Sequence, residues 1–229
     1  MEKLLFSDEH ENILFNIPLF RDLPENVKKT LLGRLDYAAY EYLKKDVLIK
    51  QNTTCKSLFV LLKGKLRVDI VDANGNEVMI EYIVAPRAFA TPHLFNTDNT
   101  MPATFTAVED GVLFTATKES LFKLISEEPN ILLSFLKITG NCNRCTVRRL
   151  RSLSYKNVRS RFIAYILEHN PNEDGTIEIE HNQAQLAEYL CITRPALSRE
   201  INKMVKENII EMEGKRVIIK NLVKIKEYV

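Results

Sequence analysis

The sequence predicts an α+β protein built in three consecutive parts: a strand-rich first half, one long helix, and a small helical third part closed by a hairpin. Three observations carry this reading. From Asp46 to Thr117, short apolar runs alternate with polar residues and are separated by turn residues. From Leu132 to Leu153, apolar and small residues recur at spacings of three, four and seven. Between Gln183 and Val205, two short apolar stripes flank a turn, the spacing of a helix-turn-helix.

The first half opens with a helix. Asp22-Leu23-Pro24-Glu25 is a start signal, and Val27, Leu31, Leu32 and Leu35 follow at helical spacing. Leu66, Val68 and Ile70 then alternate with Lys65, Arg67 and Asp69, Asn74-Gly75 intervenes, and Val78, Ile80, Tyr82 and Val84 resume the alternation. That is a hairpin with both turn positions at positive φ. Residues 104–108 and 112–117 flank Glu109-Asp110-Gly111 in the same manner. About six to eight short strands point to a barrel, roll or sandwich.

The long helix starts near Pro129, whose missing N–H is not needed in a first turn. Leu132, Phe135, Leu136, Thr139, Cys142, Thr146, Leu150 and Leu153 form its seam, suited to packing on the strands and on a parallel partner helix. Small residues at Thr139, Gly140, Cys142 and Cys145 permit close approach, so a homodimer is expected. Although the formal net charge is only +2, Lys137, Arg144, Arg148, Arg149, Arg151, Lys156, Arg159 and Arg161 fall in a stretch without Asp or Glu. Such a stretch is either a solvated helix face or the footprint of a polyanion.

In the third part, Val158, Phe162, Ile163 and Ile166 make a helical stripe that stops before His169-Asn170-Pro171. Asn172-Glu173-Asp174-Gly175 reads as a loop and Ile177-Glu178-Ile179 as a strand. Leu186, Ala187 and Leu190 then face inward on a first short helix, with Cys191 at the turn and Ile192 pointing in. The second helix is expected to bury Leu197, Ile201, Met204 and Val205 and to show Arg194, Ser198, Arg199 and Asn202. Thr193-Arg194-Pro195 is its cap and first turn. Arginines near that start suit the major groove, because one guanidinium bonds guanine O6 and N7 together. Residues 211–218 read as a two-stranded wing with Lys215 and Arg216 at its tip. The residues expected at DNA are Asn182, Gln183, Thr193, Arg194, Ser198, Arg199, Lys215 and Arg216.

Composition narrows the alternatives. With 45% hydrophobic and 27% charged residues, the 229-residue chain fits an ordinary globular protein of one or two domains. No apolar run approaches the ~18 residues of a membrane span, and the N-terminus turns acidic too early for a secretory signal. The expected setting is therefore cytoplasmic, with no membrane partner. Four cysteines are too few for a disulfide scaffold. The seven glycines are too far apart for a phosphate-cradling loop, and neither His-Glu-x-x-His nor Gly-x-Ser-x-Gly occurs. Nothing gathers an acid, a base and a nucleophile, so no enzyme activity is expected.

This order of parts resembles the Crp/Fnr family of bacterial transcription regulators over nearly the whole chain. The resemblance is anchored by Pro18-Leu19-Phe20-Arg21-Asp22-Leu23, Leu58-Phe59-Val60-Leu61-Leu62-Lys63-Gly64, Glu128-Pro129-Asn130-Ile131-Leu132 and Thr193-Arg194-Pro195-Ala196-Leu197-Ser198-Arg199-Glu200-Ile201. It implies a cyclic-nucleotide-binding-type β-roll over 1–128, a dimerisation helix over 129–154 and a winged helix-turn-helix over 155–229. It also implies a homodimer on double-stranded DNA with two-fold related half-sites, and RNA polymerase as a partner. In the family the positions of Arg194 and Arg199 contact bases or nearby backbone, and that of Thr193 meets phosphate. Pro195 stands where many members carry a Glu, and Cys191 where Gly is usual.

The sensor half departs further from the family pattern. Cyclic-nucleotide binders carry Phe-Gly-Glu and a later Arg-Ser/Thr-Ala, whereas the matching stretches here are Phe89-Ala90-Thr91 and Met101-Pro102-Ala103. Both charged contacts are missing, and a buried phosphate without a cation is costly. Thr146 remains at the position where a dimer-helix hydroxyl meets adenine. Cyclic AMP is therefore not expected to bind. Phe89, Thr91, His93, Met101 and Thr146 are the candidates for lining a pocket for a small uncharged or weakly acidic effector. The alternatives are a pocket that binds nothing, haem through His93, or redox or soft-metal chemistry at Cys142 and Cys145. An iron–sulfur cluster is disfavoured because no cysteine precedes Cys55. No metal site and no particular cofactor is assigned. Asn157 is the expected N-cap of the helix that starts at Val158. The competing function is an adaptor that uses the roll without touching DNA.

Overall fold

The computed structural model describes residues 1–168 and 175–228, with the side chains of residues 143–146, 148, 149 and 152 outside that description. The expected helix stop at His169-Asn170-Pro171, the loop over 172–174, and the side chains of Cys145 and Thr146 lie outside the described residues. Two compact units are present, Met1–Arg144 and Cys145–Val229.

The first unit contains, in chain order, β1 (Glu2–Leu4), α1 (Asp8–Asn16), α2 (Glu25–Arg34), β2 (Tyr37–Tyr42), β3 (Val47–Ile49), β4 (Ser57–Lys63) and β5 (Lys65–Val71). These are followed by β6 (Glu77–Val84), β7 (Arg87–Phe89), α3 (Thr91–Leu94), β8 (Thr104–Ala107), β9 (Gly111–Thr117), α4 (Lys118–Glu127) and the start of α5 (Pro129–Ser154). The strands form two antiparallel sheets, β1-β2-β9-β4-β7 and β3-β8-β5-β6. One apolar core draws on both, with Leu58, Val60, Leu66, Phe105 and Phe114 buried beside Leu121 of α4 and Ile131 and Phe135 of α5. This is the α+β roll expected.

Several details correct the sequence reading. Nine strands precede α5 among the described residues, more than the six to eight expected. The β5–β6 hairpin forms, but its loop spans residues 72–76 and only Gly75 has positive φ. Asp72 closes it by accepting the backbone N–H of Asn74 at 2.8 Å and of Asn76 at 2.9 Å, an Asx-turn in place of a two-residue turn. Strands β8 and β9 are not a hairpin. The former pairs with β3 and β5, the latter with β2 and β4, so the chain changes sheets at residues 108–110. Gly111 is required there, because a Cβ would run into the Lys63 carbonyl and the Tyr42 ring. The short β1, α1 and α3 are additions to the sequence reading. So is α4, where Thr117 caps Ser120 and Leu121, Leu124 and Ile125 turn inward.

Along α5, Ile131 and Phe135 pack into the roll, whereas Leu132, Leu133, Leu136, Val147 and Leu150 are 41–65% exposed in the single chain. No helix among the described residues is long and apolar enough to cross a membrane.

The second unit continues from α5 with α6 (Val158–Glu168), β10 (Thr176–Glu178), α7 (Gln183–Tyr189), α8 (Arg194–Lys206), β11 (Ile210–Glu213), β12 (Arg216–Ile219) and α9 (Leu222–Lys226). Its core comprises Phe162, Ile163, Ile166, Leu186, Leu190, Leu197, Ile201, Met204 and Val217. The wing is a three-stranded sheet, β10-β12-β11, because residues 176–178 pair with β12. The unexpected α9 is capped by Asn221, whose side chain accepts the Lys224 N–H at 2.9 Å.

Candidate nucleic-acid interface

The interface begins with how α7 and α8 are started and joined. The Asn182 side-chain oxygen accepts the N–H groups of Ala184 and Gln185, both at 3.0 Å. Gln185 returns a bond to the Asn182 N–H at 3.0 Å, completing a capping box. After Leu190 the chain turns at Cys191, whose φ is +53. Arg161 holds this turn from beneath, donating to the carbonyls of Leu190 at 3.1 Å and Cys191 at 3.4 Å, and to that of Tyr155 at 2.8 Å. Thr193 then caps α8 by accepting the Ala196 N–H at 3.4 Å, with Pro195 in the first turn.

Helix α8 has two faces. Leu197, Ile201 and Met204 are buried, while Arg194, Arg199 and Asn202 are exposed and Ser198 is half-exposed. Val205 departs from expectation at 41% exposed. It lies one position past the inward Met204, and a hundred-degree step carries it off the buried stripe. At the wing tip, Gly214 has φ +58, and Lys215 and Arg216 are exposed. Lys215 donates to the Glu180 carbonyl at 2.8 Å, tying the tip to the segment before α7. All eight residues expected at DNA thus lie on one cap-helix-wing arrangement, with the side-chain oxygens of Asn182 and Thr193 engaged in helix caps.

The basic stretch divides. Lys137, Arg151 and Lys156 are exposed, but Arg159 is 9% exposed and bonded to Glu200 and Glu207, and Arg161 serves the turn. Reading that run as one continuous polyanion footprint is therefore corrected at its C-terminal end. Asn157 caps α6 as expected, accepting the Ser160 N–H at 2.7 Å.

In the roll, Phe89 stacks on Phe59 and tilts against Phe105, with ring centroids 5.7 and 5.2 Å apart. Met101 is buried, and its backbone pairs with Asn52 and Thr53. Thr91 is buried at the start of α3, after Ala90 at φ +55. His93 is half-buried on α3, and burial holds its imidazole below the usual pKa. None of these residues lines the open cleft of about 450 Å³ bounded by Val47, Lys50, Gln51, Asn52, Val71, Asp72 and Thr104. Cys142 is half-buried on α5.

Residues 40–128 match the family described as Cyclic nucleotide-binding domain, and residues 160–228 match the Crp-like helix-turn-helix domain. The chain belongs to the Crp/Fnr family. A probable transcriptional regulator, Flp of Lacticaseibacillus casei, is 23% identical over 208 residues, covering 90% of this chain and 92% of that protein. The cAMP-activated global transcriptional regulator CRP of Pasteurella multocida is 20% identical over 79% of this chain and 88% of its own length. Among solved structures, a CooA variant from Carboxydothermus hydrogenoformans shares the fold, with a TM-score of 0.68, 21% identity, and coverage of 86% of this chain and 89% of that one. FixK2 of Bradyrhizobium japonicum does so with a TM-score of 0.62, 14% identity, and coverage of 84% and 96%.

This Crp/Fnr chain is a DNA-binding transcription regulator, not an enzyme, and the helix-turn-helix match sets the adaptor reading aside. Sequence reasoning overlooked what Arg159 and Arg161 do. Both lie in the first turn of α6, at positions where a long cation can reach the neighbouring helices, but a one-dimensional pattern names no partner for them.

Proposed function

We propose that this regulator acts as a homodimer, laying α8 of each copy in the major groove of two-fold related half-sites, with the wing on backbone phosphate. The observation that carries this is the division of α8, where an apolar stripe faces the core and Arg194, Ser198, Arg199 and Asn202 face solvent. The exposed Leu132, Leu133, Leu136, Val147 and Leu150 on α5 support pairing through that helix. RNA polymerase is the expected protein partner. The roll senses a signal other than cyclic AMP, since Thr91 and Met101 stand where a nucleotide binder would place the ribose-binding carboxylate and the phosphate-binding cation.

Selection of duplexes from a random pool, followed by binding titrations, tests the DNA reading. A symmetric motif is expected, with affinity falling steeply as salt rises. Arg194→Ala and Arg199→Ala should each cost about 1–3 kcal/mol of discrimination. A salt-independent, motif-free result would sink the reading. For the roll, calorimetric titration with cyclic AMP should give no binding in the micromolar range.

A further inference from the structure

Arg159 occupies a place that neither packing nor the interface itself accounts for. The residue is 9% exposed, and its guanidinium makes four hydrogen bonds. Nε donates to Glu200 Oε1 at 2.5 Å, Nη1 and Nη2 donate to the two Glu207 carboxylate oxygens at 2.7 and 3.1 Å, and Nη1 also donates to the Tyr228 hydroxyl at 2.9 Å. The Tyr228 ring lies against the cation, 5.0 Å from the guanidinium carbon to the centroid. Glu200 belongs to α8 and Glu207 is its C-cap. They are seven residues apart, close to two helical turns, and so share one stripe on the flank of the buried Leu197, Ile201 and Met204.

We propose that Arg159 is a positioning residue that fixes the rotation of the recognition helix about its own axis. The proposal rests on the reading of α8 as the groove-reading helix. Apolar contacts through Leu197, Ile201 and Met204 hold α8 down but have no preferred direction. A rigid guanidinium fork gripping two carboxylates along one stripe does have one, because charge-assisted bonds weaken quickly when turned out of line. With the roll of α8 fixed, Arg194, Arg199 and Asn202 meet base edges in one register. A buried ion pair is poor evidence for stability, since apolar residues can often replace it, and a role in specifying arrangement explains its presence better. Lysine would not substitute, because its point charge cannot form the fork.

The test uses the full chain and two duplexes: one selected by the wild type from a random pool, and a scrambled duplex of equal length. For Arg159→Met, the ratio of selected to scrambled affinity should fall about tenfold or more, the scale of a lost base contact. Its affinity for the scrambled duplex should stay within about threefold, because phosphate attraction is retained. Arg159→Lys should recover only part of the ratio. A purely structural role would lower the melting temperature and leave the ratio of the folded protein unchanged, which would overturn the proposal. Should Arg159→Met fail to fold, the Glu200→Gln, Glu207→Gln double variant takes its place. It retains neutral partners for the guanidinium and should lose part of the ratio, and an unchanged ratio again overturns the proposal. If the wild type prefers no duplex, the reading of α8 fails and the proposal falls with it. If the wild type discriminates and every variant discriminates equally, only the proposal falls.

Discussion

Cys191 and Ala90 hold the chain at φ +53 and +55, where a Cβ crowds the following carbonyl at about 1–2 kcal/mol. Glycine relieves that strain but gives the unfolded chain more freedom, worth about 0.5–1 kcal/mol. Cys191→Gly and Ala90→Gly should each therefore stabilise their own unit by about 0.5–1 kcal/mol in urea unfolding. His93 has the opposite relation to its surroundings, since burial disfavours its charged form. Its contribution is fully present above the ordinary imidazole pKa, and it diminishes as pH falls below that value and the unfolded chain takes up the proton first. Comparing thermal unfolding of wild type and His93→Gln between pH 7.5 and 5.5 should show a shallower acid loss in the variant. Such residue-level roles were legible where they are local. Asn157 and Thr193 are recognisable as caps because a cap needs only its own next three residues. Val205 falls off the expected stripe because its neighbour Met204 already fills the inward position.

Among the elements, α6 depends on its first turn. Asn157→Ala removes the acceptor of the Ser160 N–H and should cost the second unit about 1 kcal/mol, read by chemical denaturation. Helices with a clean stripe, such as α2, α6 and α8, were visible in the sequence. Strand existence was visible too, but partnership was not. The runs ending at Ala107 and beginning at Gly111 look like two arms of a hairpin, and only the sheet pairing reveals that they part company. Helix α4 was hidden because β9 runs into it without a break, Thr117 being at once the last strand residue and the cap.

For the molecule as a whole, order of parts was the most legible feature, since each period of hydrophobicity gives way to another at a definite residue. A sensing pocket was not, because Phe89 and Met101 are spent on core packing and Thr146 lies outside the described side chains. Assembly yields the largest-scale prediction. Leu136→Lys with Leu150→Lys places charges on the exposed face of α5. In sedimentation the variant should run as a monomer, with binding to a full two-half-site duplex falling to the level of a single half-site.

The division of α8 into an inward stripe and an outward face also bears on how this regulator could diverge from its relatives. Substitutions at Arg194, Ser198, Arg199 or Asn202 leave the packing of Leu197, Ile201 and Met204 untouched. A duplicated copy would thus be free to acquire a new target sequence by drift on one face while inheriting a folded scaffold on the other.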